Sequence, residues 1–434
     1  MVATDQRCMR KVLWRFLPLL LVCYIVSNLD RVNVGYAALT MNQDLGLSNS
    51  AFGLGAGLFF ITYFAFEIPS NIALQRFGAR RWIARIMLTW GVLSGAMAFV
   101  QGEISFYVVR LLLGAAEAGF FPGIIFFLTL WVPARWRATF VGTFMVAVPM
   151  ASVLGAPISA FVINGAGFLG LASWRTMFIV EAVPAVLLAF VVFKVLRDRP
   201  EDAEWLSNEE KRWLLGTLAA ERAQAGNHVT ERIGVILRTP QIWLLAYVYF
   251  CLAGISYGLA FFLPLIMKEA HLSVIQTGFA TAAPFLVGAL GMVLWGRSSD
   301  RRQERRVHAL VALGLAVLGL VASILVPSPV AKMIAFSVSA LGLMSALPVF
   351  WTLPNLLLGS TVGAAGIAMI SSLGNLSGFV QSVLMGVLRD RTGSYSPGLL
   401  LIAVVGAVGF VVLWRLTQRV SRPAGQVNDW TSAW

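Results

Sequence analysis

Twelve apolar runs, each long enough to cross a bilayer as a helix, constrain this chain more than any other feature. A spanning helix needs about 20 predominantly apolar residues. Such runs fall at 13–39, 51–74, 83–101, 104–131, 137–164, 174–196, 241–268, 273–296, 307–326, 331–358, 363–390 and 397–418. Composition agrees with a membrane protein: 58% of the 434 residues are hydrophobic and 12% charged, against about 25% charged in a soluble domain. The close pairs 104–131/137–164 and 331–358/363–390 are divided on the Pro, Gly and Arg punctuation at 133–137 and 359–363. The expected fold is an all-α membrane protein with twelve transmembrane helices in two six-helix bundles.

The first run follows a basic stretch (Arg7, Arg10, Lys11, Arg15), as in a signal peptide. It is too long for one and no small-residue cleavage site closes it, so it reads as a retained first transmembrane helix. Cys8, Cys23 and Cys251 are too scattered for a zinc framework or a disulfide scaffold. No metal or other cofactor is expected. The net charge of +13 raises nucleic acid as a partner, and the placement of the charges argues against it. With the N-terminus inside, the cytoplasmic segments hold 26 of the 33 Lys and Arg. Arg175, Lys268, Lys332, Arg389 and Arg391 fall outside, and Arg31 and Arg110 within runs. That bias puts both termini in the cytoplasm, and the basic residues are spread over many loops in no single patch. The expected setting is the bacterial inner membrane, with the protein acting as a monomer.

Residues 197–240 differ from the rest. Pro200 and Ser207 open the segment, Glu alternates with Lys and Arg, and Pro240 closes it. It reads as a cytoplasmic linker with one or two short amphipathic helices, dividing the chain into bundles at 1–196 and 241–434.

The two halves repeat one feature. NIALQRFGARR at 71–81 joins the second and third runs, and GRSSDRRQERR at 296–306 joins the eighth and ninth. Both set an Arg after a small polar or acidic residue and a basic pair four or five residues later. This resembles the signature loop of the major facilitator superfamily, and the resemblance spans the whole chain. The second copy keeps Gly296, Asp300, Arg301, Arg305 and Arg306. The first departs, with Gln75 where the superfamily has Asp and Asn71 where it has Gly. By the resemblance, Arg76, Arg80, Asp300 and Arg301 belong to a cytoplasmic charge latch, and Glu67 is the candidate stand-in for the acid missing at Gln75. The resemblance also implies two bundles built of inverted repeats that rock around a midplane site, lined by helices one, four, seven and ten.

An ionisable residue at membrane depth is costly and faces a cavity or a partner. There are six: Asp30, Arg31, Glu67, Arg110, Glu117 and Glu181, four of them on helices one and four. Arg110 and Glu117, seven apart, share a helix face about 10 Å apart along the axis. Helix one runs outward and helix four inward, so Asp30, Arg31 and Arg110 reach the same outer depth. The expectation is a neutral cluster of two arginines and two acids. Arginine keeps its charge and offers a planar fork to a carboxylate, while a buried carboxyl's affinity for protons depends on the nearest cation. An incoming anion that takes the arginine therefore favours protonation of the acid left behind, which couples anion to proton.

LDRVNVGYAALTMNQDLGLS, FFITYFAFEIPSNIALQRFGARRWIARI, RLLLGAAEAGFFPG and SWRTMFIVEAVPA resemble the anion:cation symporter branch, with its permeases for tartrate, sugar acids, phthalate and hydroxyphenylacetate. The resemblance assigns proton coupling to Asp30 and Glu117, and the substrate carboxylate or the coupling acids to Arg31 and Arg110. In that branch Glu181 is typical, and it reads as structural. Tyr249 stands where sugar-acid members have a polar substrate contact, which leans away from a polyol chain. Trp351, Thr352 and Asn375 complete the candidate pocket, with Pro354 freeing a carbonyl at a cavity-side kink. No metal-spaced His/Cys set or phosphate loop suggests an enzyme. A proton-driven drug exporter would favour acids without paired arginines, whereas an exchanger or uniporter stays open.

The expected function is proton-coupled import of a small organic anion by alternating access, first a hydroxy-carboxylate such as tartrate, second an aromatic carboxylate. A dianion entering with one proton would move net charge against a membrane potential, at roughly 2.3 kcal/mol per charge per 100 mV. Two protons are expected for a dicarboxylate.

Overall fold

The computed structural model describes residues 2–167, 170–225, 237–358 and 363–418. Among them every regular element is a helix. In order these are α1 (Val2–Asp44), α2 (Asn49–Phe77), α3 (Ala79–Ala96), α4 (Glu103–Glu117), α5 (Phe120–Trp131), α6 (Ala134–Met145), α7 (Ala147–Asn164), α8 (Ser173–Val195), α9 (Asn208–Ala225), α10 (Pro240–Lys268), α11 (Val274–Arg302), α12 (Arg306–Leu325), α13 (Pro329–Phe350), α14 (Leu353–Leu358), α15 (Gly363–Asn375), α16 (Ser377–Thr392) and α17 (Ser396–Thr417). Twelve stretches of these helices are long and apolar enough to cross a membrane, and they fall on the twelve apolar runs.

Four runs expected as single helices are broken: between α4 and α5, α6 and α7, α13 and α14, and α15 and α16. Three of the breaks have one cause. A proline lacks the N–H that bonds the carbonyl four residues back. Pro122, Pro149 and Pro354 stand four residues after Ala118, Met145 and Phe350, where the helices end. Proline alone does not suffice, since Pro69 and Pro184 lie inside unbroken helices. At the α4–α5 break, Gly119 adopts φ +87, and a Cβ there would meet the Ser70 hydroxyl at 2.3 Å. Only glycine fits both demands.

α1 begins well before its apolar run because its first turns have partners. Cys8, Met9 and Val12 are buried, Asp5 pairs with Arg135, and Lys11 Nζ lies 2.9 Å from Glu210. The linker helix α9 is thereby strapped under α1, α5 and α6. Trp205 stacks on Trp131 at 5.7 Å, and Glu221 accepts the Ala134 amide at 2.8 Å. The end of the molecule carrying α9 is called the linker face below, and the opposite end the far face.

Glu210 tests the strap. Burial opposes its charge, but Lys11 and the Ser207 amide and hydroxyl outweigh that and hold its carboxyl below the usual 4.5. A depressed acid contributes stability that is complete above the ordinary value and is lost as pH falls through the depressed one. Proteolysis of the linker is therefore expected to accelerate below about pH 4.5 in wild type. In Glu210→Gln that acid-dependent step is expected to disappear, as read by limited digestion across pH.

The far face is closed by a seam between α2 and α16. Asp390 accepts from the Ser50 amide (2.7 Å) and hydroxyl (2.5 Å) and from the Asn49 amide (3.2 Å) and side-chain amide (2.8 Å). The Tyr395 hydroxyl donates to Asn49 Oδ1 at 3.3 Å. One turn deeper the backbones almost touch: a Cβ on Gly53 would lie 2.3 Å from the Ser382 carbonyl, and one on Gly386 2.2 Å from that of Asn49. From Asn49 to Gly57 the seam is about 12 Å deep.

Candidate functional site

Below the seam, towards the linker face, the two bundles enclose about 980 Å3 of space, counting the solvent at its mouth. α1 contributes Asn28 and Arg31, α2 Tyr63 and Glu67, α10 Tyr249 and Tyr257. Trp351 and Asn375 line the opposite wall. Among the described lining residues Arg31 is the only cation.

Arg31 is held from behind. Its guanidinium donates to Glu117 Oε1, which also accepts from the Ser27 hydroxyl at 2.8 Å. Glu117 is 1% exposed and lies behind the wall, whereas the Arg31 side chain keeps 12% exposure. The cation sits over Phe59 (5.3 Å) and Tyr63 (5.1 Å), and Tyr257 faces it from the second bundle. Removing one member of such a pair is costly, because the other is left buried and charged. A ligand carboxylate presented to Arg31 supplies a replacement counter-ion.

The expected four-charge cluster does not assemble. Neighbours on a helix point about 100° apart, so Asp30 turns away from Arg31 into the first bundle. There it accepts from Trp90 Nε1 at 2.8 Å and lines no part of the cavity. Arg110 also departs from its expected place against substrate. It is 1% exposed, donates to the Gly55 and Ala56 carbonyls at 3.2 and 2.9 Å, and lies over Phe59 at 5.0 Å. It clamps α4 to α2 and shares the Phe59 ring with Arg31. Arg110 and Glu117 share a helix face, as their spacing requires, but Glu117 takes Arg31.

In the second bundle Tyr249 stacks on Phe350 at 5.5 Å and tilts against Trp351 at 4.8 Å, forming an aromatic wall. Asn375 reaches the cavity and accepts from the Tyr257 hydroxyl at 3.1 Å. Thr352, expected to bind substrate, turns its hydroxyl back onto the Val349 carbonyl at 2.7 Å and does not line the cavity. Asn355, beside Pro354, has no described side chain.

The loop residues divide as well. Glu67 stands nine residues from Arg76, at cavity depth, and accepts from the Ser372 hydroxyl across the two bundles at 2.7 Å. It does not occupy the place of the acid missing at Gln75. At this loop the acid is Asp198, just past the sixth span: it accepts the Arg80 amide at 2.8 Å, while Arg80 Nε donates to the Phe193 carbonyl at 2.5 Å. In the second copy Asp300 pairs with Arg305 at 2.6 Å. Arg76 lies over Phe77 at 5.6 Å, and Arg301 is exposed. No group of three or more His, Cys, Asp and Glu among the described residues could hold a metal ion.

Sequence reasoning missed Phe59, Trp90, Asp198 and Asp390. Asp198 and Asp390 were legible only as charges at the ends of runs. Phe59 and Tyr63, four apart, were legible as one helical face, but nothing marked that face as the seat of two guanidiniums.

Twelve spans around a central cavity that carries a cation, with a seam closing one face, make a membrane transport architecture. The chain matches the Major Facilitator Superfamily over residues 20–382 and belongs to it. It is a multi-pass membrane transporter of that superfamily. It is 46% identical over 423 residues to a protein of Agrobacterium vitis named "Putative tartrate transporter", covering 98% of each chain. It is 38% identical to a protein of Acinetobacter baumannii named "Quinolone resistance transporter", over 97% of this chain and 98% of that one. Among solved structures, a D-xylose–proton symporter superposes with TM-score 0.75 at 16% identity, over 94% of this chain and 99% of that one, a likeness of fold.

Proposed function

We propose that the protein is a proton-coupled symporter importing a small organic anion across the bacterial inner membrane, with a hydroxy-carboxylate such as tartrate as first substrate. The linker face and both termini lie in the cytoplasm, so the sealed far face makes this an inward-facing state of a protein that works as a monomer. One observation carries the reading: the cavity's cation, Arg31, is already held by a buried carboxylate, Glu117. A substrate carboxylate that takes the Arg31 fork frees Glu117 in a site nearly closed to water. Loss of its cation there favours protonation of Glu117. Empty, the pair is ionic and neutral; loaded, it holds one substrate carboxylate and one proton, and the second proton expected for a dicarboxylate falls to Asp30. Glu67 and Ser372 join the bundles at cavity depth, and the Arg76, Arg80, Asp300 and Arg301 loops lie at the cytoplasmic ends that part and close.

The test is uptake of radiolabelled tartrate into proteoliposomes, with and without an inward proton gradient. Gradient-driven accumulation is expected in wild type. Glu117→Gln is expected to lose it while keeping counterflow exchange. Accumulation by wild type without any gradient would sink the symport reading. The Tyr249–Phe350–Trp351 wall favours a second substrate class, an aromatic carboxylate. Hydroxyphenylacetate or phthalate competing better than unlabelled tartrate would decide for it. Loss of a preloaded quinolone driven by protons, with no anion uptake, would instead decide for export.

A further inference from the structure

Glu181 belongs to a second polar cluster, enclosed within the first bundle and separate from the cavity. α1 supplies Asp30 and Asn33, α3 Trp90 and Ser94, α7 Ser159, and α8 Glu181, all 1–4% exposed or less. Each acid has one close donor, Trp90 Nε1 for Asp30 at 2.8 Å and the Ser159 hydroxyl for Glu181 at 2.6 Å, and one looser one, Ser94 and Asn33 respectively. Even so, Asp30 Oδ1, Glu181 Oε2, Asn33 Nδ2 and Ser94 Oγ have no partner in hydrogen-bonding geometry. The titratable groups facing Asp30 are Glu181 and Glu117, and Tyr36 faces Glu181. None is a cation, and no described ion pair includes either acid.

Two carboxylates without a cation, each short of donors, are forbidding in an apolar interior. A carboxyl that carries its proton is the form such a site admits. Depth orders the pair. Asp30 lies fourteen residues from the far end of α1, about 21 Å, and Glu181 eight residues from the far end of α8, about 12 Å. Glu181 is the nearer to the far face, and Glu117, fourteen residues from the far end of α4, lies at the depth of Asp30.

We propose that Glu181 is a proton carrier of the transport cycle, loading Asp30 from the far face along a route walled off from the substrate cavity. This rests on the symport reading. Glu181 gives its carboxyl proton to the Asp30 carboxylate and is reprotonated from the far-face solution. Asp30 passes the proton to Glu117 once the substrate has drawn Arg31 away. Charge is conserved at each transfer, and none of the three acids lines the cavity.

The experiment uses Glu181→Gln in the full chain. Glutamine keeps the Ser159 hydrogen bond and the shape of a neutral carboxyl, so a structural role survives it. Proton-driven tartrate accumulation is expected to fall at least tenfold, with counterflow within twofold of wild type, and Glu181→Asp is expected to recover part of it. Accumulation by Glu181→Gln equal to wild type overturns the proposal. Ser159→Ala serves if the glutamine variant fails to fold: it removes the close donor to Glu181 and is expected to shift the pH profile of accumulation, and an unmoved profile overturns the proposal. An infrared readout needs no substrate. Protonated-carboxyl C=O stretches are expected in wild type at neutral pH, and the Glu181 band is expected to be missing from Glu181→Gln while that of Asp30 stays. If the bands are identical in the two proteins, Glu181 holds no proton and the proposal fails. If wild type accumulates no anion yet the Glu181 band is lost, the symport reading fails while the protonated Glu181 stands.

Discussion

Arg31→Lys is expected to weaken tartrate binding about 30- to 100-fold, with expression and folding close to wild type. The guanidinium holds Glu117 from behind while lying over Phe59 and Tyr63, and its planar fork has room for two acceptors. Lysine offers a point charge that must choose between Glu117 and the ligand. Losing a charge-assisted hydrogen bond amounts here to about 2–2.8 kcal/mol, which is the stated range at 1.4 kcal/mol per tenfold. Arg31→Gln is harsher, since it strands Glu117 as a buried unpaired charge at about 3–5 kcal/mol. Its thermal unfolding in detergent is expected well below wild type. Arg31→Gln with Glu117→Gln is expected to recover that stability and still not bind. If Arg31→Lys binds within threefold of wild type, Arg31 is not the anion receptor.

Asp390→Ala is expected to open the far face about 10- to 30-fold more often. Asp390 takes two backbone amides in the first turn of α2 and two side chains beside them, all from the opposite bundle. It acts as an N-terminal cap supplied in trans, favoured by the helix dipole. Such a cap is worth up to about 2 kcal/mol, here entirely to the far-closed state, because α2 keeps Ser48 as its own cap. Ser256→Cys, on the cavity wall, gives the readout. Its labelling by a membrane-impermeant maleimide from the far face is expected to rise by that factor, over a low background because Cys8, Cys23 and Cys251 are buried. An unchanged labelling rate would show that the glycine seam at Gly53 and Gly386 closes this face without Asp390.

Much of the architecture was legible before any coordinates. Hydropathy is additive along the chain, so the twelve spans appear as runs, and the repeated loops at 71–81 and 296–306 mark the two halves. The breaks were half legible. Pro354 reads as a kink in the sequence, whereas Pro122 and Pro149 look the same there as Pro69 and Pro184, which break nothing. At the site, the six intramembrane charges stood out because each is expensive in hydrocarbon. Their partners did not, because partnership depends on the rotation of each helix about its axis.

The sequence by itself determined that this chain spans a membrane twelve times, that its halves are related, and which side chains are too costly to be accidental. Those are properties of single segments and of the solvent they must occupy. Only the tertiary structure decided that Asp30 and Arg31, adjacent in the chain, serve different neighbourhoods. It alone set Arg110 on the backbone of α2, left Thr352 out of the cavity, and brought Asp390 to the start of α2, 340 residues away. A helix presents each residue at a fixed 100° step, and which direction meets a cavity, a partner or lipid is set by how twelve helices pack at once.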